Sequence, residues 1–384
     1  MAVTVKTDGD GFYLAGNKIS VEVTTDHTLG AEESFLRVVL EGTLQAAEHP
    51  DIPAVSIPLS QPVPNKGTAV FNLSDYVQGI IRRIQSEIDM NETRDVQTAW
   101  FKPIRINGSF RCKDVWVRDN VEQSPDGFSS TYTFIAVPGK KTDYELLLED
   151  PDNRPLLSSL MKKKPMSRKP DMGIVYKGET VILPLVSGDL YSASFEISVG
   201  GTKVVTSPAS SYLSSYSLDY HWAAVNHASD GELKLTSGYV GTKQGYYRTN
   251  PHGVHFLRFI NGFGAVENIS VRSKDKLSYE VSGETHSLVQ EATTRPTDRR
   301  YATKSQPVGV YELSSGYVPQ RWAEWYVQEL LTSPRVWIQL GGRWVPALIE
   351  AEDDCVIYDR TKPEMPHVDF TLRLAIDGVT GVTW

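Results

Sequence analysis

The stretch that most constrains this chain is Gly253 to Val271, GVHFLRFINGFGAVENISV. Val254–Ile260 and Val266–Val271 are rich in β-branched and aromatic residues, and Asn261, Gly262, Phe263 and Gly264 stand between them. Asparagine and glycine enter φ > 0 at little steric cost, so the pattern predicts two strands joined by a tight turn. Alternation places Phe256, Arg258 and Ile260 on one face of the first strand and His255, Leu257 and Phe259 on the other. Both faces are mostly apolar, which requires a central strand covered on both sides.

Elsewhere Val, Thr, Ser, Tyr and Gly recur in short alternating blocks, and helix-favouring runs are few. At 384 residues the chain exceeds one ordinary core. The expected fold class is mainly β: two or more β-sandwich-like domains, a few short helices, and a C-terminal helix packed on a small antiparallel sheet. Four segments follow from the punctuation. Residues 1–148 read as an N-terminal sandwich with strands at Ile19–Thr24, Phe35–Leu40, Val55–Leu59, Ala99–Ile106, Asp114–Arg118 and Ser129–Val137. Pro50, Pro53, Pro58, Pro62 and Pro64 make the third of these an edge strand or an extended segment at best. One helix crosses this domain over 73–88: Leu73, Tyr76, Val77, Ile80, Ile81 and Ile84 form a stripe of period near 3.6, and Asn72 or Ser74 supplies its N-cap.

Residues 149–170, EDPDNRPLLSSLMKKKPMSRKP, carry four prolines and read as an extended linker. Its cations Lys162, Lys163, Lys164, Arg168 and Lys169 suit a solvated tether or a contact with an acidic neighbour; a phosphate backbone is the third possibility. Residues 171–305 read as a second β domain, with a hairpin turning at Gly200-Gly201. Residues 306–384 hold a helix from Pro319 to about Leu331, striped by Trp322, Trp325, Tyr326 and Leu330 and stopped at Ser333-Pro334. A hairpin follows at Gly341-Gly342, then alternating Val368, Phe370, Leu372, Leu374 and Ile376. This segment either stands alone or completes the second domain.

Net charge is −8, which speaks against general nucleic-acid binding. The opening MAVTVKTDGDG lacks the basic and apolar regions of a secretory signal, and no run of about 18 apolar residues spans a membrane. Cys112 and Cys355 have no metal-ligand spacing. His252 and His255 stand three apart on a strand, where they face opposite ways, so they do not form a zinc pair. The carboxylates Glu350, Glu352, Asp353 and Asp354 lack the glycine and spacing of an EF-hand and read as a solvated turn. Gly262-Phe263-Gly264 is followed by Glu267 where a dinucleotide fingerprint has its third glycine. There is no Walker A, no GxSxG elbow and no other local catalytic signature, so neither catalytic residues nor cofactors are assigned.

Two stretches carry a resemblance. GVHFLRFINGFGAVENISV and WAEWYVQELLTSPRVWIQLGGRWVPALIEAEDD resemble segments of virion proteins of tailed phages and prophages of Bacteroides-type bacteria. There a strand ending in Asn-x-x-Gly precedes a second strand, and an ELL-x-SP-x-V helix–strand leads to a hairpin with a Val-Pro pair, here Val345-Pro346. FYLAGNKISVEV and the segment Phe71 to Tyr76 are similar to their first β-sandwich. The resemblance implies a bacteriophage tail structural protein (distal tail, hub or baseplate), non-enzymatic, made in the host cytoplasm and carried in the virion. Its implied partners are other tail subunits and further copies of itself. Interface chemistry then points to Tyr317, Arg321, Trp325, Arg343, Trp344 and Trp384, each equally suited to a core or a rim, except that the stripe position of the helix tryptophans favours the core. A rival expectation is a carbohydrate-binding or adhesive module using the Tyr-rich 212–247 region, through Tyr216, Tyr220 and Trp222. A polysaccharide depolymerase is the third.

Overall fold

A computed structural model describes residues 3–7, 11–87, 90, 104–124, 126–140, 166–187, 195–207, 217–237, 241–280, 283–287, 300–304, 308–351 and 365–375. The fold is mainly β, in several sheets with few short helices. No helix among the described residues is long and apolar enough to cross a membrane.

The first module has nine strands: β1 (Val3–Thr7), β2 (Phe12–Leu14), β3 (Ser20–Thr25), β4 (Glu33–Ala46), β5 (Val55–Pro62), β6 (Thr68–Asn72), β7 (Ile106–Arg118), β8 (Val121–Gln123) and β9 (Tyr132–Val137). One sheet runs β1-β3-β6 and the other β2-β9-β7-β4-β5, with β8 beside β7. Val21, Val23 and Phe71 of the first sheet and Val38, Leu40 and Phe110 of the second share one core, as a sandwich requires. Proline-bearing β5 is indeed an edge, paired only to β4. Helix α1 (Ser74–Ser86) seals one end by burying Val77, Ile80, Ile81 and Ile84 in the same core, while Tyr76 stays at the surface. Leu73 occupies the cap position, and Asn72 Oδ1 accepts hydrogen bonds from the Ser74 N–H and hydroxyl.

Two local features depart from the pattern. Asn107-Gly108-Ser109 lies inside the continuous strand β7, because the Phe134 ring covers Gly108: a Cβ there would meet that ring at 2.2 Å. In β4 the register against β7 slips between Ser34 and Arg37. Within this bulge Phe35 sits at φ 55° with its ring turned to solvent, while Leu36 returns to the core. A bulky residue at positive φ costs on the order of 1–3 kcal/mol.

The second module contains β10 (Gly173–Tyr176), β11 (Thr180–Ser187), β12 (Phe195–Val199), β13 (Thr202–Ser207), β14 (Ser217–Ala224), β15 (Gly231–Ser237) and β16 (Gly241–Arg248). A five-stranded sheet, β10-β16-β15-β12-β13, shares a core with the pair β11-β14. Gly200 and Gly201 both take positive φ in the β12–β13 turn, at 56° and 81°.

The third module begins with the hairpin β17 (Val254–Ile260) and β18 (Val266–Glu280), followed by a ribbon of β19 (Gly283–Ser287) and β20 (Arg300–Lys304). Strands β21 (Val308–Ser314), β22 (Val336–Leu340), β23 (Arg343–Ala351) and β24 (Asp369–Leu374) complete a closed barrel, β17-β18-β21-β24-β23-β22. The small C-terminal sheet is therefore part of a barrel, closed where Leu257, Arg258 and Phe259 pair with Ile338, Trp337 and Val336. Residue 305 falls within its strand order, since β18 pairs with β21. Helix α2 (Gln320–Trp325) continues as a π-helical turn, Tyr326–Leu331, and buries Trp322, Trp325, Tyr326 and Leu330 against Leu257, Phe259 and Ile338.

Gly108→Ala is expected to destabilise the first module by about 1–3 kcal/mol through overpacking against Phe134. Adding Phe134→Leu should recover part of the loss, read by urea denaturation.

Candidate functional site at the module junction

Where the three modules meet they share a further core. Phe12, Leu14 and Val137 come from the first, Ile182, Leu218 and Tyr220 from the second, and Ile260, Phe263, Ala265, Val266 and Trp337 from the barrel, with Met166 of the linker among them. β17 is thus covered on both faces: Leu257 and Phe259 point into the barrel, and Ile260 and Arg258 point towards the junction. The Arg258 guanidinium lies 4.0 Å above the Trp344 ring and reaches the Met90 carbonyl at 3.4 Å. Burial brings its pKa down to about 9.

The β17–β18 turn is the polar centre. Asn261 Oδ1 accepts from the Phe263 and Ala265 N–H groups at 3.0 and 2.9 Å, fixing the turn from inside. Its Nδ2 donates to the Met166 carbonyl at 2.7 Å, which holds the linker. Gly262 N–H donates to Glu329 Oε2 at 2.6 Å, and Gln85 Nε2 donates to the Gly264 carbonyl at 3.0 Å. Glu329 also takes Arg168 Nη1 at 2.6 Å, while Arg168 Nη2 donates to the Lys140 carbonyl at 2.7 Å. The same guanidinium stacks 4.0 Å over Phe263. Gly262 has no room for a side chain, since a Cβ would stand 2.7 Å from Arg168 Nη1.

A second polar cluster lies between the linker, the second module and the barrel. Asn268 Nδ2 donates to Glu179 Oε1 at 2.9 Å, its Oδ1 accepts the Ile182 N–H, and its carbonyl accepts from Lys169 Nζ at 3.2 Å. Lys243 Nζ donates to the Lys169 carbonyl at 2.9 Å. With Glu267 these groups line a void of about 20 Å³, room for one water. Burial pushes the Glu179 carboxyl up to about 7, against the pull of Lys169 and of its hydrogen-bond donors. Burial raises Glu267 as well and lowers Lys243. Lys169 and Met172 continue into a larger cleft of about 180 Å³, walled by Ile174, Arg272, Tyr317 and Trp322.

Of the linker cations, Arg168 pairs with Glu329 and Lys169 Nζ donates to the Asn268 carbonyl; Lys162, Lys163 and Lys164 lie outside the described residues. Of the interface candidates, Tyr317 is 69% exposed at the cleft mouth, and Arg321 and Arg343 are exposed. Trp344 is half-buried under Arg258, and Trp384 lies outside the described residues. Trp325 is a correction: at 3% exposure it packs edge-on against Phe259 and Trp322 and offers no outer surface. Of the glycan candidates, Tyr220 is corrected likewise and Trp222 is half-buried. Tyr220 is buried with its hydroxyl accepting the Val266 N–H, Trp222 packs on the junction core, and Tyr216 lies outside the described residues.

His252 is exposed in the turn before β17, and the His255 ring on β17 meets Tyr311. No group of three or more His, Cys, Asp or Glu placed to hold a metal occurs among the described residues. Sequence reasoning missed Glu329, Glu179 and Glu267. Glu329 was detectable, being four residues after Trp325 and hence on the apolar stripe; nothing local marks the other two.

No family model matches the chain, and no curated protein matches it. Among solved structures, it is matched to red sea bream transglutaminase at 11% identity and a TM-score of 0.18, covering 65% of this chain and 32% of that one. It is also matched to an E-to-A variant of the three titin Ig domains I67–I69 at 9% identity and a TM-score of 0.16, covering 82% and 94%. At those scores neither likeness bears on fold or activity.

Glu329→Ala is expected to cost about 3–5 kcal/mol by stranding Arg168, whereas Glu329→Gln should cost less because an amide oxygen still receives the Gly262 N–H. Chemical denaturation reads the difference. Glu179 holds its proton more tightly folded, at about 7, than at its ordinary 4.5. Its contribution to stability is thus complete below pH 4.5 and lost as the pH rises through about 7, and Glu267 acts in the same direction. The melting temperature should fall between about pH 5 and pH 8, and fall less in Glu179→Gln.

Proposed function

We propose that this chain is a non-enzymatic structural and assembly protein of a bacteriophage or prophage tail, in its distal tail, hub or baseplate region, and that it works through protein–protein interfaces. The observation that carries the reading is the use made of the buried polar groups. Arg168, Glu329, Asn261, Gln85 and Asn268 all bind one module or the linker to another. Such wiring suits a stiff multi-module part that transmits position between neighbours. The similarity of its helix–strand and strand–turn–strand segments to tail-associated virion proteins supports the same reading, as do exposed Tyr317, Arg321 and Arg343. It is synthesised in the host cytoplasm and ends in the particle.

The test is location. Particles induced from a strain carrying the gene, purified by density gradient and labelled with antibody-bound gold, are expected to carry label on the tail. Label confined to the soluble lysate, with clean particles, would refute the proposal.

A further inference from the structure

Two surface features take no part in the buried wiring of the junction, and they are complementary. The first is a knob. Phe35 is held at φ 55° by the β4 bulge and is 60% exposed, although nothing in the sandwich core requires it to face outward. Val121, across β7 from the same end of β4, is 57% exposed. Around them stand the carboxylates Glu32, Glu33, Asp119 and Glu122 against the cations Arg37 and Arg118, a net negative setting, with His27 on Glu33. Strain retained at an exposed aromatic points to a use for that aromatic.

The second is the cleft between β10, β18 and the start of α2. Its volume, about 180 Å³, exceeds the roughly 150 Å³ in which a benzene ring can lodge. Ile174, Tyr317 and Trp322 supply apolar walls, and among the described residues Lys169 and Arg272 are its charged lining. The apolar surface continues outward through Tyr246, register partner of Ile174, with Arg248 over its ring at 5.8 Å. On the other side Tyr317 meets His367, next to exposed Met365. Arg321 stands at the rim with Asp171 at 3.8 Å, and Glu232, opposite Tyr246, pairs with Lys234. The setting is net positive in a chain of net charge −8.

We infer that Phe35 of one copy of this chain seats in the Ile174–Tyr317–Trp322 cleft of the next, with the carboxylates around the knob meeting the arginines around the cleft. The inference rests on the assembly reading above and gives it a contact. Knob and cleft belong to different modules, so the contact is head-to-tail. Repeated, it closes a ring or extends a filament. A phenyl ring inserted among aromatics with arginines at the rim has the anatomy of an interface hot spot.

The test uses the full-length chain in a Cys355→Ser background, where Cys112 is buried. Val121→Cys protein mixed with Met365→Cys protein, which leaves knob and cleft intact, and treated with a short bis-maleimide should yield mainly the mixed dimer. In sedimentation, Phe35→Asp and Tyr317→Asp should each weaken self-association by more than about ten-fold. Phe35→Gly, which fits the positive φ, should do the same with no fall in melting temperature. Wild-type assembly that survives both aspartate variants, or links dominated by like residues, overturns the contact and leaves the tail assignment standing. A wild-type chain monomeric at high micromolar concentration also overturns it, and the gold-labelling result then decides the tail assignment separately.

Discussion

The turn from Asn261 to Gly264 joins pieces of chain that lie far apart in sequence, and the rest of the architecture depends on it. The Asn261 side chain closes the turn on one side and holds the linker on the other. The Gly262 amide and the Arg168 guanidinium meet on one carboxylate, Glu329, which is 3% exposed. Removing a carboxylate from water costs several kcal/mol unless its lone pairs are met, and here a cation and a backbone amide meet them. A displaced partner would leave a bare charge in a dry site, so the alternatives to this docking are costly. Apolar packing of Phe263, Trp337 and Tyr220 would tolerate many registers; the polar contacts specify one.

Barrel closure amplifies that constraint. The turn grows from β17, which pairs with β18 on one side and β22 on the other, so it has no free edge about which to swing. β11 is held comparably: Val181 and Leu183 sit in the core of the second module while Ile182 sits in the junction core. Both strands present apolar residues to both faces and belong to two cores at once. Such shared strands leave no hinge between the modules they join.

Much of this was readable where the signal is local. The two-sided character of 254–260, the stripe of α1, the double-glycine turns at 200–201 and 341–342, and the edge position of proline-bearing β5 each follow from a few adjacent residues. What escaped was set by distant partners. The strand readings stop at Ile106 and resume at Asp114, whereas β7 runs unbroken from Ile106 to Arg118 with Phe134 lying on Gly108. Tyr220 reads as a surface ring until the Val266 amide claims its hydroxyl. Barrel closure needs β22 to find β17, a pairing no pattern in either strand announces. Glu179 and Glu267 look like ordinary surface carboxylates because the modules that bury them arrive from elsewhere in the chain.

The span between Arg168 and Glu329 also sets an order of events on the ribosome. The two residues are 161 positions apart. At ordinary elongation rates the guanidinium therefore waits roughly 8 to 30 seconds for its counter-ion to be made. The first sandwich, whose strands all precede residue 138, can fold in that interval. Linker docking waits first for the turn at 261–264 and then for the helix that carries Glu329. A nascent chain stalled before α2 would hold both finished sandwich modules and the turn, yet would leave Arg168 without its counter-ion.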